Sequence, residues 1–370
     1  MPTESQIERD AGAVLRALAI RKNVIISGPP GTGKSRVLTQ VRELFKWDSG
    51  STGADPYGAV AIPAATSPMP DWFPSPDRAL SRESFPTVFD QNTKYRDFMR
   101  GLVPAIGKSS TFEVTSGTLY RASLHARKDG NAALVIIDEI NRGPAVAAFG
   151  SAIVGLEADK RLDSDGERTT TTQDFEILGD DGEHQGFALP ADLYILAAMN
   201  EADTSVEPLD VAFLRRFFHY RLEPESSVLR AHFGLAPAAS ALPATASSPT
   251  DVYEALVQSW VVINDQIRMG RGPAYRLGHG ALMHADAPKG TLEEAHQYLA
   301  HAWATIRAHL DEVFFGNTRA LSDVLRAEEE QSPYSLEETT FAGQSVRRID
   351  GPERPSANDL YRLLSLIASA

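Results

Sequence analysis

Three short stretches of this chain are apolar without interruption: Val24-Ile25-Ile26, Leu134-Val135-Ile136-Ile137, and Leu193-Tyr194-Ile195-Leu196-Ala197-Ala198-Met199. A strand covered on one face alternates apolar with polar residues, so unbroken runs predict strands buried on both faces, as in a parallel sheet between helices. Helical spacing lies between and around them. Ile7, Ala11, Leu15 and Leu18 form one stripe over residues 3–19, and Val37, Leu38, Val41, Leu44 and Phe45 another over 36–45. Residues 87–91 predict a further strand, 145–156 a helix, 209–217 a short helix and 217–222 a last strand. Beyond that the pattern is helical. Val252, Leu256, Trp260, Ile263 and Ile267 share a face over 251–269, and 291–315 opens with the capping box Thr291/Glu294 and stops at Gly316-Asn317. Residues 360–367 predict a short final helix.

Between these elements, three segments lack periodicity. Residues 48–84, rich in Gly, Pro, Ser and Asp, predict a long surface loop. Its Met69-Pro70-Asp71-Trp72-Phe73-Pro74 is either a partner-docking element or a set of aromatics folded back on the body. Residues 160–189, polar and threonine-rich, predict a hairpin projecting from the body, and the Ala/Pro/Ser run 236–250 predicts a flexible insertion. The resulting expectation is an α/β fold: a parallel sheet flanked by helices over 1–222, followed by a small helical domain over 223–370.

Composition narrows the setting. The chain's 370 residues suffice for two or three domains with a sizeable core. No apolar run approaches the roughly 18 residues a membrane span needs, and Met1-Pro2-Thr3-Glu4-Ser5 lacks the basic-then-apolar pattern of a signal peptide. A cytoplasmic protein without membrane contact is predicted. The absence of cysteine excludes disulfides and thiolate metal sites. A net charge of −13 argues against a surface that coats nucleic acid, while leaving room for a local basic pore lining.

Chemistry concentrates where the apolar runs end. After Val24-Ile25-Ile26 comes Gly28-Pro29-Pro30-Gly31-Thr32-Gly33-Lys34-Ser35, which fits the phosphate-loop pattern G-x-x-x-x-G-K-[ST] in its required strand–loop–helix setting. Glycines allow successive N–H groups to point at phosphate oxygens, and the helix start adds the positive end of its dipole. Lys34 then reaches the β- and γ-phosphates of a nucleoside triphosphate, and Ser35 holds Mg²⁺. The second run ends in Asp138-Glu139, placing Asp138 as a Mg²⁺ ligand and Glu139 as the group that polarises the attacking water. The third ends at Asn200, whose amide could bond both that water and the γ-phosphate. Arg215 and Arg216 form either surface ion pairs or, one of them, an arginine finger for a neighbouring subunit's nucleotide. Nothing in composition assigns a role to Tyr275-Arg276-Leu277-Gly278-His279-Gly280.

Taken together, these motifs resemble the AAA+ NTPases, and within them the McrB-type motor subunits of modification-dependent restriction systems. Ile137-Asp138-Glu139-Ile140-Asn141-Arg142-Gly143 is similar to that family's acidic motif, Tyr95–Gly101 to its tyrosine-x-acidic-phenylalanine segment, and Met199-Asn200-Glu201-Ala202-Asp203 to its Met-Asn-x-x-Asp motif. Leu209-Asp210 with Arg215-Arg216-Phe217 resembles its arginine motif, and Arg276-Leu277-Gly278-His279 its lid motif. The resemblance implies a homo-oligomeric ring, a hexamer by family habit, with nucleotide between subunits, arginines acting in trans and a helical lid. It also implies a separately encoded partner, nuclease-like and McrC-like, with DNA contacted through that partner or the pore. Thr204 and Leu214 stand where the family usually has arginine, which leaves ATP and GTP both open as substrate. With the phosphate loop starting at Gly28, no N-terminal DNA-reading domain is expected. The stretch through Pro144 is also similar to MoxR-type chaperones, whose partners carry a von Willebrand A domain; a slowly hydrolysing nucleotide-gated scaffold is a third reading.

Overall fold

The computed structural model of the chain describes residues 6–46, 81–105, 112–203, 209–284 and 290–369. They form two compact units, one from the described residues of 1–27 and 34–221, the other from those of 28–33 and 222–370. The Trp72 segment and Thr204 lie outside the described residues.

In the first unit five strands pair in parallel: β1 (Asn23–Ser27), β2 (Ser81–Val88), β5 (Asn131–Asp138), β8 (Leu193–Ala198) and β9 (Phe218–Arg221), in the order β2-β5-β8-β1-β9. The three uninterrupted apolar runs occupy the middle positions and are buried almost throughout, because only central strands are covered on both faces. Alternate residues serve opposite sides. Ile25, Val135, Ile137, Ile195 and Ala197 share a core with Phe98, Leu119 of α4 (Thr118–Ala126) and Phe149. On the other face Tyr194 meets Phe45 of α2 (Lys34–Phe45) edge-on, ring centroids 5.9 Å apart. There α1 (Gln6–Arg21) buries Ala11, Val14, Leu15 and Leu18.

Strand β2 corrects two expectations. Residues 81–84 are not loop, and the strand ends at Val88 rather than starting at Thr87. An edge strand needs no apolar run, so Ser81-Arg82-Glu83-Ser84 carries no sequence signal; its order comes from pairing, Ser81 opposite Asn131 through Val88 opposite Asp138. Pro86 is tolerated for the same reason.

The expected helix over 145–156 is broken. Helix α5 (Ala145–Phe149) gives way to a 3-10 segment at Gly150–Gly155. Gly150 has φ 51, and a Cβ there would stand 2.5 Å from the ring of Tyr95 in α3 (Tyr95–Phe98). A hairpin of β3 (Arg100–Pro104) and β4 (Phe112–Ser116) follows α3. Within 160–189, β6 (Phe175–Leu178) and β7 (His184–Phe187) pair antiparallel, but they do not project freely. Phe175, Ile177, Phe187 and Leu189 enter the sheet's core, since their spacing by two puts them on one face. Helix α6 (Val211–Leu214) is capped by Asp210, whose Oδ1 accepts from the Ala212 N–H at 2.8 Å.

The second unit is mainly helical: α7 (Ser226–His232), α8 (Pro249–Arg271), α9 (Leu292–Val313), α10 (Thr318–Val324) and α11 (Ala357–Ala368). Leu256, Trp260, Ile263, Leu299, Trp303, Ile306, Leu360 and Leu364 fill its core. The Ala/Pro/Ser run has no regular structure up to Ser248, where α8 is capped, yet it is held in place. Arg230 donates to the carbonyls of Ala236 and Ala238, Tyr361 to that of Pro243, and the Ser240 N–H bonds Glu254. The helical expectation also misses one element, the hairpin of β10 (Ser335–Phe341) and β11 (Gln344–Asp350), closed by Ala342-Gly343 with both φ positive, as a two-residue hairpin turn requires.

Candidate active site

Parallel pairing brings three strand ends to one edge of the first unit. Ile137 stands opposite Ala197 and Ile26 opposite Ala198, so the carboxyl ends of β1, β5 and β8 themselves are neighbours. Strands lie about 4.8 Å apart, and side chains there meet directly.

Lys34, the first residue of α2, is buried. Burial pulls its ammonium down to about 8, while Glu139, Glu201 and Asp138 pull the other way. Three carboxylates thus act electrostatically on one lysine. Glu139 has left-handed backbone, φ 53 and ψ 46, a strained conformation for a residue with a side chain that costs about 1–3 kcal/mol. This bend turns its carboxylate to Asn200, whose Nδ2 donates to Oε1 at 2.8 Å. On the other oxygen stands Arg142, Nε 3.4 Å from Oε2, and the same guanidinium reaches Asp203 at 3.3 Å. Asn141 donates to the Asn200 carbonyl at 3.0 Å, fixing the strand end that carries the amide. The Glu139 N–H bonds Asp138 Oδ1 at 3.0 Å.

Ser35 and Asp138 line one cleft of about 300 Å³ with Thr39, Arg42 and Thr87. A hydroxyl and a carboxylate are hard oxygen donors, which suits Mg²⁺, a cation usually bound through one or two protein groups plus water and phosphate. The residues present therefore fit that metal.

Glu201 is the residue sequence reasoning missed. Arg221, at the end of β9, grips it in a fork, Nη2 to Oε2 at 2.8 Å and Nε to both oxygens at 3.1 Å, and Ser27 Oγ donates to Oε1 at 2.7 Å. The only available signal was an acid beside a strand end with an arginine at the end of another strand, and pairing alone reveals that those strands flank the same β1.

The two arginines differ. Arg216 is committed: Nε donates to the Ile153 carbonyl at 3.1 Å, Nη1 to that of Ala212, and Glu157 lies 3.8 Å away. Arg215 is exposed and, among the described residues, makes no side-chain hydrogen bond or ion pair.

Gly28–Gly33 packs in the second unit. Gly28, Gly31 and Gly33 have φ of 147, 77 and 88, backbone that side chains resist, and Thr32 Oγ1 closes the loop on the Pro29 carbonyl at 2.8 Å. Alternation of this kind makes a concavity of N–H groups suited to anions.

Residues 77–217 match the AAA domain of the dynein-related subfamily. The chain is 29% identical over 213 residues to the Type IV methyl-directed restriction enzyme EcoKMcrB subunit of Escherichia coli K12, a match covering 57% of this chain and 37% of that protein. It is 31% identical over 227 residues to the Type II restriction enzyme BsuMI component YdiS of Bacillus subtilis 168, covering 58% and 60%. The chain thus matches less than two thirds of the length of either relative. Among solved structures, a putative ATPase from Cytophaga hutchinsonii aligns over 82% of this chain and 79% of its own, with 14% identity and a TM-score of 0.30.

Proposed function

We propose that this chain, which matches the AAA domain of the dynein-related subfamily over residues 77–217 and is similar to two restriction-enzyme subunits, is a Mg²⁺-dependent nucleoside triphosphatase of the McrB-like AAA+ kind, working at the carboxyl ends of β1, β5 and β8. The observation that carries the reading is the meeting of Lys34, Asp138, Glu139 and Asn200 within one unit. Lys34, already under the pull of three carboxylates, engages the β- and γ-phosphates. Ser35 and Asp138 hold Mg²⁺, which when bound offsets charge on the phosphate oxygens. Glu139 takes up the attacking water, and Asn200 holds the carboxylate in line and senses the γ-phosphate. Arg215 rather than Arg216 completes a neighbouring protomer's site, because Arg216 is spent on Ile153 and Glu157.

The assembly we propose is a hexameric ring acting as the motor of a restriction-type complex, moving DNA or remodelling an effector with a separately encoded partner. Both curated relatives carry restriction-enzyme names, which supports this over a chaperone.

Glu139→Gln keeps the shape and the Asn200 contact but removes the base. Nucleotide binding is expected to persist while turnover falls about 10²- to 10⁴-fold, measured with ATP and GTP in turn. Turnover within a fewfold of wild type would remove Glu139 from its role.

A further inference from the structure

Residues 277–284 of the second unit, the stretch to which composition assigned nothing, form a turn with a short 3-10 segment at His279–Leu282. Three helices grip it. Asn264 of α8 clamps both backbone groups of Leu277, Nδ2 donating to the carbonyl at 3.0 Å and Oδ1 accepting from the N–H at 2.7 Å. Tyr298 of α9 donates to the Leu282 carbonyl at 2.5 Å and accepts from the His284 N–H at 3.1 Å. His279 is buried, and its Nδ1 accepts from the N–H of Glu225, which caps α7, at 3.3 Å.

The opposite side of the turn meets the glycine loop of the same unit. The N–H of Gly278 donates to the Pro30 carbonyl at 3.0 Å, and that of Gly280 to the Gly31 carbonyl at 2.8 Å. A trans peptide carries its C=O and N–H on opposite sides. Holding the Pro30 carbonyl toward Gly278 therefore turns the Gly31 N–H away from the turn, and holding the Gly31 carbonyl does the same for the Thr32 N–H. Glycine at these positions of the turn answers a demand for room. Gly278 has φ −67 and ψ 150, which any residue adopts, but a Cβ there would stand 2.1 Å from the Gly31 carbonyl carbon and 2.4 Å from the Pro30 oxygen. At Gly280 it would stand 2.8 Å from the Gly31 oxygen.

We propose that the 278–280 turn is a positioning element for the triphosphate: its two backbone amides aim the Gly31 and Thr32 N–H groups at the phosphates and tie the loop's conformation to α7, α8 and α9. This rests on the reading of the loop as a nucleotide site. Coupling is reciprocal, so nucleotide on the loop stabilises the turn and its three helical anchors to the same extent that the turn favours nucleotide.

The test measures binding of methylanthraniloyl-ATP and methylanthraniloyl-GTP, together with the melting temperature with and without nucleotide, for wild type, Gly278→Ala and Gly280→Ala. Wild type is expected to bind one of the two and to gain melting temperature from it. Gly278→Ala is expected to weaken binding about tenfold or more, equivalent to about 1.4 kcal/mol, and to lose most of the nucleotide-induced gain while its nucleotide-free melting stays cooperative. Gly280→Ala, with one milder clash, is expected to lose less, and it decides the matter if Gly278→Ala does not fold. A purely structural contact would lower the nucleotide-free melting temperature and leave affinity and gain unchanged; that result, in either folded variant, overturns the proposal. Failure of the wild type itself to bind either nucleotide would instead sink the reading of the site, and the inference with it.

Discussion

Lys22 shows how a single side chain at the amino end of β1 sets a pH dependence. It lies between α1 and β1, its Nζ 3.9 Å from Asp192 and 3.3 Å from the Tyr194 hydroxyl. Burial lowers its ammonium from 10.5 to about 8, against the opposing pull of Asp192. The folded protein therefore gives up this proton before the unfolded chain does. Below about 8 both states hold it and the buried cation is a constant cost; between about 8 and 10.5 the unfolded chain binds more protons, so stability rises with pH. In Lys22→Met that rise is expected to shrink without vanishing, because Lys34 is lowered by the same cause. Urea unfolding at pH 7, 8.5 and 9.5 measures it, and an unchanged slope in the variant would refute the assignment. Arg161 is a different case. Wholly buried, it bonds the Leu156 and Leu193 carbonyls and Asn23, fixing the amino ends of β1 and β8. It serves the frame, at the end of those strands opposite to the proposed site.

At the level of elements, the break after α5 carries the most information. An apolar, helical-looking stretch from Ala145 to Leu156 changes course because Tyr95 occupies the space beside Gly150. Around that break Phe149 touches Phe98, Phe213 and Phe217, with ring centroids 4.7, 5.2 and 6.3 Å away. Such pairs contribute about 0.5–1.5 kcal/mol each beyond their burial. Gly150→Ala must strain a left-handed backbone and displace the Tyr95 ring, so a loss of about 1–3 kcal/mol is expected in denaturant unfolding. Combining it with Tyr95→Ala should recover part of that loss, since the ring clash is then gone; strict additivity would show that Tyr95 is not what shapes the break.

For the whole molecule, the prediction concerns which protomer supplies what. If Arg215 acts across an interface and Glu139 within its own site, Arg215→Ala and Glu139→Gln proteins are each nearly inactive alone. Mixed, they form some sites in which an intact Arg215 faces an intact Glu139. Turnover of the mixture is expected to exceed that of either variant several-fold, a modest recovery of a contribution worth roughly 10³ to 10⁵ in rate. No gain on mixing, with exchange of subunits verified, would place both groups in one chain. Among the described residues no helix is long and apolar enough to cross a membrane.

Much of this protein was legible in residue order because its evidence is local. Buried central strands need unbroken apolar runs, and a phosphate loop needs its glycines, lysine and serine at fixed spacing, so β1, β5, β8 and the Lys34 to Ser35 step announce themselves. That the acidic pair at 138–139 and Asn200 stand at strand ends was legible for the same reason: each follows directly on such a run. What needed the folded chain was everything that depends on a distant partner. The polar edge strand β2 exists through its pairing with β5, and Glu201 acquires Arg221 and Ser27 only because β9 and β8 flank β1. Likewise Arg216 is bonded to a carbonyl 63 residues away, and Gly278 and Gly280 have meaning only against Pro30 and Gly31. Spacing along the chain encodes local geometry; which remote atoms share a volume is settled by packing, where hydrogen bonds and excluded space act between residues the sequence keeps far apart.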